Sequence, residues 1–467
     1  MREREYNSNN SWYYNGNNGN MNNNNKYNSY PGRPLLDFQS VDSIHHYPFV
    51  PFWFRELFYA AYFTCRSNKR RTPSAIRFEI DYERSLEKLA RDVYYCEYTP
   101  KSSIAFIVTS PKIREIEAAD FSDRVVQHVY YARLFPLIDK YLNKSSYSCR
   151  IGMGTLAAVC DTYDYIAAVS ENYKKDCWIA KFDLQSFFMS IDKNLLTKNL
   201  LKFIDLYYQG PDKDILKYLT RVIYQSMPCE NAIRKSPLSM WNNLPSTKSL
   251  YAISWNLGLA IGNITTQLAA NFFTTPYLNY VNKLGIDCMC NYTDDLIMVV
   301  PDKTEFLKKI PYIRSYLKDE LGLSLHPYKF YLQHYSKPVH FLGYVIKKER
   351  IYIDNRTKDK MYEKVRLYCL WAAQDKKFIY KHAEAFSQVI NSYMGLLKHC
   401  YSYKIRTELT KRIMQTTWSR VLCFNRDNTK CTVKKKHTKK ARALRNISLQ
   451  KIQIKHYYDN SRKNQCA

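Results

Sequence analysis

The segment Cys290-Asn291-Tyr292-Thr293-Asp294-Asp295-Leu296-Ile297-Met298-Val299-Val300 sets two adjacent acids between an apolar approach and an apolar exit. Such a run reads as a strand–turn–strand hairpin, with the acids at the turn and both flanks buried. Neighbouring carboxylates repel, so the pair is comfortable only where solvent or a cation neutralises it. Taken alone, the pattern also fits an ordinary Asp-Asp hairpin turn. A second segment narrows the choice. In Lys181-Phe182-Asp183-Leu184-Gln185-Ser186-Phe187-Phe188-Met189-Ser190-Ile191, Asp183 ends the apolar strand that starts at Trp178 and precedes a helix-like turn. If that strand pairs with the hairpin of Asp294, the carboxylates meet at one end of a sheet. Magnesium is a hard cation held by a few carboxylates plus substrate phosphates. Two such ions about 4 Å apart activate an attacking hydroxyl and stabilise a leaving group. The pattern points to phosphoryl transfer.

These motifs, with others in order from about Arg66 to Arg406, resemble those of the reverse transcriptases. Tyr292-Thr293-Asp294-Asp295 is similar to the family's Y-x-D-D box, and Phe182-Asp183 to Ile191 to its first catalytic-Asp motif. The resemblance implies an α+β right-hand polymerase with fingers, palm and thumb. It implies that Asp183 and Asp294 are the main ligands of two Mg²⁺ ions and that Asp295 is the more peripheral third acid. Phe188, five residues after Asp183, aligns with the aromatic steric gate, which implies dNTPs rather than rNTPs. Core packing is the other reading of Phe187 and Phe188, and one of the two is expected to pack.

Pro111-Lys112-Ile113-Arg114-Glu115-Ile116 resembles the fingers segment, making Lys112 and Arg114 the expected triphosphate contacts. Arg124 reads either as a structural salt bridge or as a template contact. Gly258-Leu259-Ala260-Ile261-Gly262-Asn263-Ile264-Thr265-Thr266-Gln267 reads as a loop entering a helix. The family places it, with Gly262 and Gln267, against the incoming nucleotide and template base, where a glycine backbone approaches a base closely. Lys329 resembles the lysine proposed to protonate departing pyrophosphate, with an ordinary surface lysine as the alternative. Phe341-Leu342-Gly343-Tyr344 resembles the primer-grip hairpin. Beyond Ile351 the spacing of Phe386, Val389, Ile390, Tyr393, Met394 and Leu397 predicts a purely helical thumb with that stripe in its core.

Two motifs mark a subgroup. Ile261-Gly262-x-x-x-Thr266-Gln267, and Tyr147-Ser148-Cys149-Arg150-Ile151-Gly152-Met153-Gly154-Thr155, resemble diversity-generating retroelement enzymes and related bacterial "unknown group" enzymes of antiphage defence. The implied partners are an RNA template, a DNA/RNA primer duplex and dNTPs. To these the subgroup adds a structured noncoding RNA or template-repeat RNA and, for a diversity-generating enzyme, a small helical accessory protein. A non-catalytic, maturase-like RNA-binding scaffold is the alternative.

Charge agrees with a polyanionic partner. The chain of 467 residues carries 71 Lys+Arg against 42 Asp+Glu, a net +29, which suits nucleic acid. No apolar run approaches the ~20 residues a membrane span needs, and the scattered cysteines show no zinc or disulfide pattern, so a cytoplasmic chain without a membrane partner is expected. The expected organisation is a disordered Asn-rich tail (1–40), fingers and palm (41–345), a helical thumb (346–425) and a basic tail (426–467).

Overall fold

The computed structural model describes residues 49–67, 72–110, 112–375 and 377–434. The Asn-rich tail and residues 435–467 of the basic segment lie outside the described residues. The fold is α+β. Helices α1 (Phe52–Arg66), α2 (Pro73–Ile80) and α3 (Tyr82–Tyr94) lead into a hairpin of β1 (Ile104–Val108) and β2 (Arg114–Ala118), followed by α4 (Phe121–Tyr141). Leu86, Leu89, Ala90 and Val93 form the buried stripe of α3, the three-and-four spacing that a one-sided helix requires.

After α5 (Thr155–Val169) come β3 (Trp178–Asp183), the short α6 (Phe187–Ser190), α7 (Lys193–Tyr207) and α8 (Lys213–Gln225). An intervening segment contributes β4 (Ile233–Arg234) and α9 (Leu238–Asn242) before the long α10 (Ile264–Lys283). Strand β4 pairs parallel to β1 and so widens the fingers sheet to the order β2-β1-β4. Helix α10 is buried along most of its length. Its Thr274 and Thr275 hydroxyls donate back to the carbonyls of Ala270 and Asn271, so they enter the core without unpaired donors.

The central sheet has the order β5-β6-β3-β7, with β5 (Met289–Tyr292), β6 (Asp295–Val300) and β7 (Tyr331–His334); α11 (Lys303–Leu321) lies between the last two in sequence. Both faces are covered, which is why β6 reads as a continuous apolar run. Ala180, Phe182, Leu296 and Met298 join the core with α4 and α10. Ile179, Ile297 and Val299 join a second core with Ala158, Val159 and Ile166 of α5. The period of two therefore places Lys181 and Asp183 on the α5 side of β3.

A second sheet, β8 (Val339–Phe341), β9 (Tyr344–Lys347) and β10 (Arg350–Ile353), follows. Its first turn has Leu342 at φ 48° and Gly343 at φ 86°, the paired positive φ angles of a two-residue hairpin. The thumb comprises α12 (Asn355–Gln374), α13 (Phe378–Leu397) and α14 (Tyr403–Met414). Phe386, Ile390, Met394 and Leu397 are buried in its core, with Val389 and Tyr393 packed against them.

The thumb is not purely helical. Residues Leu422–Phe424 (β11) and Cys431–Val433 (β12) form an antiparallel hairpin. Leu422 and Cys431 are buried in the thumb core, and Asn391 on α13 clamps Cys431 by accepting from its N–H and donating to its carbonyl. Three-residue strands are too short to display their alternation in sequence. The expected limits at 345/346 and 425/426 fall within β9 and within the β11–β12 hairpin respectively.

Candidate active site

Register brings the acids together. Asp183 lies opposite Asp295 across β3 and β6, with Cα atoms about 5 Å apart in such a pair. Tyr292 lies opposite Asp295 across β5 and β6, leaving Thr293 and Asp294 as the turn. Thr293 has φ 62°, an uncommon left-handed conformation for a β-branched residue. Asn291, 2% exposed, donates through Nδ2 to the Thr293 carbonyl at 3.3 Å. The motif from Tyr147 props this turn from outside: Asn291 N–H donates to Ser145 O at 2.7 Å, and Tyr147 N–H to Asn291 O at 2.9 Å. Arg150 of that motif is structural, paired with Asp139 and donating to the carbonyls of Asn143 and Ser146.

The Asp294 carboxyl is held above the usual carboxylate range, first by burial, then by the charges of Asp295 and Asp183; Arg114 opposes the rise. The fingers cation is therefore within electrostatic reach of the palm acids. Lys329 Nζ donates to Asp183 Oδ2 at 2.7 Å. It is delivered there because the Asp183 carbonyl accepts from His326 N–H at 2.8 Å, three residues upstream. Lys181 Nζ stands 3.5 Å from Asp295 Oδ1. Among the described residues, no three His, Cys, Asp or Glu side chains stand ready to enclose a metal ion. Two of the acids instead share an oxygen with a lysine. The donors on offer are nevertheless carboxylate oxygens, the ligand type that a hard divalent cation takes.

Phe187 is core, 3% exposed, whereas Phe188 is half-buried beside it. The Phe188 carbonyl accepts from Leu259 N–H at 2.9 Å, so this residue and the Gly258–Gln267 loop are joined. Gly262 has φ 125°, and a Cβ there would stand 2.9 Å from Ile116 Cγ2 and 3.4 Å from the Glu117 carbonyl. The close approach that this glycine permits is to β2, not to open space, and Glu117 N–H donates to the Ile261 carbonyl at 2.9 Å. Thr266 Oγ1 donates to the Ala260 carbonyl at 2.6 Å and closes the loop. Gln267, the fourth residue of α10, meets Cys149. Lys112 is exposed in the β1–β2 connection and Arg114 exposed at the start of β2. Arg124 is part-buried, and its Nε donates to the Ala119 carbonyl at 2.9 Å.

Two participants carry no motif signal. Lys181 shares the face of Asp183 by strand alternation, which its spacing of two residues already indicated. Glu115, 2% exposed, points from β2 into the segment between α8 and α10. It accepts from Trp241 Nε1, Ser249 Oγ and Leu250 N at 2.8, 2.6 and 2.7 Å. That clamp joins the strand carrying Arg114 to a segment more than a hundred residues away, a pairing invisible to local pattern. Arg234 covers the same segment, 3.9 Å from the Tyr251 ring centroid.

A family described as "Reverse transcriptase (RNA-dependent DNA polymerase)" matches residues 99–346, just over half of the chain. No curated protein matches. Among solved structures, telomerase from Candida albicans in complex with a TWJ fragment of telomeric RNA is 12% identical with a TM-score of 0.41, covering 74% of this chain and 59% of that one. Telomerase from Candida tropicalis with a TWJ fragment is 10% identical with a TM-score of 0.41, covering 68% and 55%. The chain thus spans less than two thirds of the length of these solved structures.

Proposed function

Because this chain belongs to the reverse transcriptase (RNA-dependent DNA polymerase) family, we propose that it copies an RNA template into DNA by extending a primer 3′-hydroxyl with dNTPs. The observation that carries this reading is the palm register: Asp183 opposite Asp295, Asp294 in the adjoining turn, and the charge of Arg114 reaching Asp294. In this reading Asp183 and Asp294 would be the main residues holding two Mg²⁺ ions, with Asp295 the third acid. When bound, the ions activate the primer hydroxyl and neutralise charge on the leaving pyrophosphate.

The remaining roles fall to this chain's own side chains. Lys112 and Arg114 bind the triphosphate from the fingers. Lys329, already at Asp183, supplies a proton to the departing pyrophosphate. The Phe188 ring excludes a 2′-hydroxyl, and Gln267 lines the nascent base pair. Gly262 acts by letting β2 close on the loop beneath that pair. The form Ile261-Gly262-x-x-x-Thr266-Gln267 supports a role in a diversity-generating retroelement or in antiphage defence. A template-repeat or structured noncoding RNA, a small helical accessory protein in the former case, and a cytoplasmic setting belong to that reading. Among the described residues no helix is long and apolar enough to cross a membrane.

One observation favours a second reading, a maturase-like scaffold that binds RNA without catalysis: lysines already neutralise Asp183 and Asp295. Primer extension on poly(rA)/oligo(dT) with dTTP and Mg²⁺ separates the two. The polymerase reading expects extension with dTTP and rejection of rUTP. Tight primer–template binding without extension would leave only the scaffold.

A further inference from the structure

The hairpin β9–β10 has two unlike faces. Tyr344, Ile346 and Ile351 belong to the core against α5. The opposite face carries Lys347 and its cross-strand partner Arg350, then Tyr352 two residues on. This face meets the turn between α13 and α14, where Tyr401 N–H donates to the Ile351 carbonyl at 2.7 Å. The side chains form a continuous ladder. Arg350 Cζ lies 4.7 Å from the Tyr401 ring centroid, Tyr401 and Tyr352 rings are 5.7 Å apart, and Lys347 Nζ lies 5.5 Å from the Tyr352 ring. The hairpin tip, Lys347-Lys348-Glu349-Arg350, holds three cations and one acid.

A latch between hairpin and thumb would bury its rings. Here Tyr401 remains 56% exposed and Tyr403 66% exposed. Exposed tyrosines flanked by Lys and Arg are what single-stranded nucleic acid uses: bases stack on the rings and phosphates meet the cations. The patch also lies away from the acids. Lys348 packs over Tyr173 at 5.6 Å, and Glu349 N–H reaches the Tyr173 hydroxyl at 3.5 Å. Tyr173 precedes Trp178, the end of β3 opposite Asp183, and five strand steps separate those ends by roughly 17 Å.

We propose that Tyr401, Tyr403, Arg350, Lys347 and Lys348 form a second nucleic-acid site, outside the cleft, that takes a single-stranded stretch of RNA. It rests on the polymerase reading only for the choice of RNA over DNA. The test uses the full chain saturated with poly(rA)/oligo(dT), to which a fluorescent twenty-nucleotide oligo(rC), unable to pair with either strand, is added and followed by anisotropy. The loaded protein binds oligo(rC) more tightly than oligo(dC). Tyr401→Ala/Tyr403→Ala weakens binding about tenfold or more, Tyr401→Phe/Tyr403→Phe retains it, and Arg350→Ala lowers the salt slope by about 0.7. Primer extension stays at the wild-type level in every variant. Absence of oligo(rC) binding to the loaded protein overturns the proposal, as does equal binding of oligo(dC). Unchanged binding by the double Ala variant would make the patch a protein-facing surface instead. Joint loss of binding and extension in that variant would make it a thumb latch. A wild type that binds oligo(rC) but never extends a primer would sink the polymerase reading and leave this site standing.

Discussion

The palm hairpin β5–β6 and the fingers hairpin β1–β2 both carry charge beside their turns, yet they hold it in opposite ways. In the palm, Asp294 is part-buried beside other acids, and its carboxyl is pushed up first by partial burial and then by its neighbours' charges. In the fingers, the buried Glu115 is met by hydrogen-bond donors from Trp241, Ser249 and Leu250. A buried carboxylate with its donors in place stabilises structure, and one crowded by like charges has capacity for a cation. The comparison separates the acids of the site from the acids of its frame.

The largest effect should fall on the palm. Asp294→Asn/Asp295→Asn is expected to lower nucleotide incorporation by about a thousandfold or more, since electrostatic stabilisation of the transferred group is lost. Primer–template affinity measured by anisotropy should change little; full incorporation by the double variant would break the comparison at its root. Phe188→Val should relax discrimination between dTTP and rUTP by about a hundredfold in the ratio of kcat/KM. An unchanged ratio removes Phe188 from the gate.

Glu115→Ala tests the frame. It leaves the indole, hydroxyl and amide donors unpaired, at a cost of roughly 3 kcal/mol in thermal or denaturant unfolding. It should also raise KM for dNTP more than it lowers kcat, because β2 carries Arg114. Glu115→Gln keeps the shape and should recover most of both; equal loss in the two variants would mean that charge, not positioning, matters there.

A last effect concerns α4, which shares a core with β3 and β6. Burial, and then the charge of Arg124, lower the His128 pKa to about 4. Between the ordinary 6.5 and about 4, the unfolded chain takes up a proton that the folded chain refuses. Stability therefore falls as pH drops through that window, by at most about 3 kcal/mol. His128→Gln should show a shallower decline of melting temperature between pH 7 and 4.5; parallel curves would rule out His128 as its source.

Most of the palm was legible before any coordinates. Trp178–Asp183 read as a strand and Cys290–Val300 as a hairpin because each is an apolar run with its acids at one end of a strand, and β3 and β6 are buried on two faces. The α13 stripe was legible for the same reason at helical spacing. The β11–β12 hairpin was not: its strands are short, and what stabilises them is Asn391 on a distant helix. Gly262 was expected to let backbone approach a nucleobase; the close approach in the fold is to β2, which no local pattern identifies.

The order and spacing of residues settled the chain's fold class and pointed to its chemistry, because period, apolar runs and clustered acids are local properties that survive in one dimension. Contacts between remote segments decided the rest. Strand register put Asp183 opposite Asp295, the His326 bond brought Lys329 to Asp183, and Glu115 tied Arg114's strand to Trp241 and Ser249. Such pairings depend on which surfaces the packed core brings face to face, and loop-closure entropy penalises distance along the chain too weakly for sequence separation to reveal them.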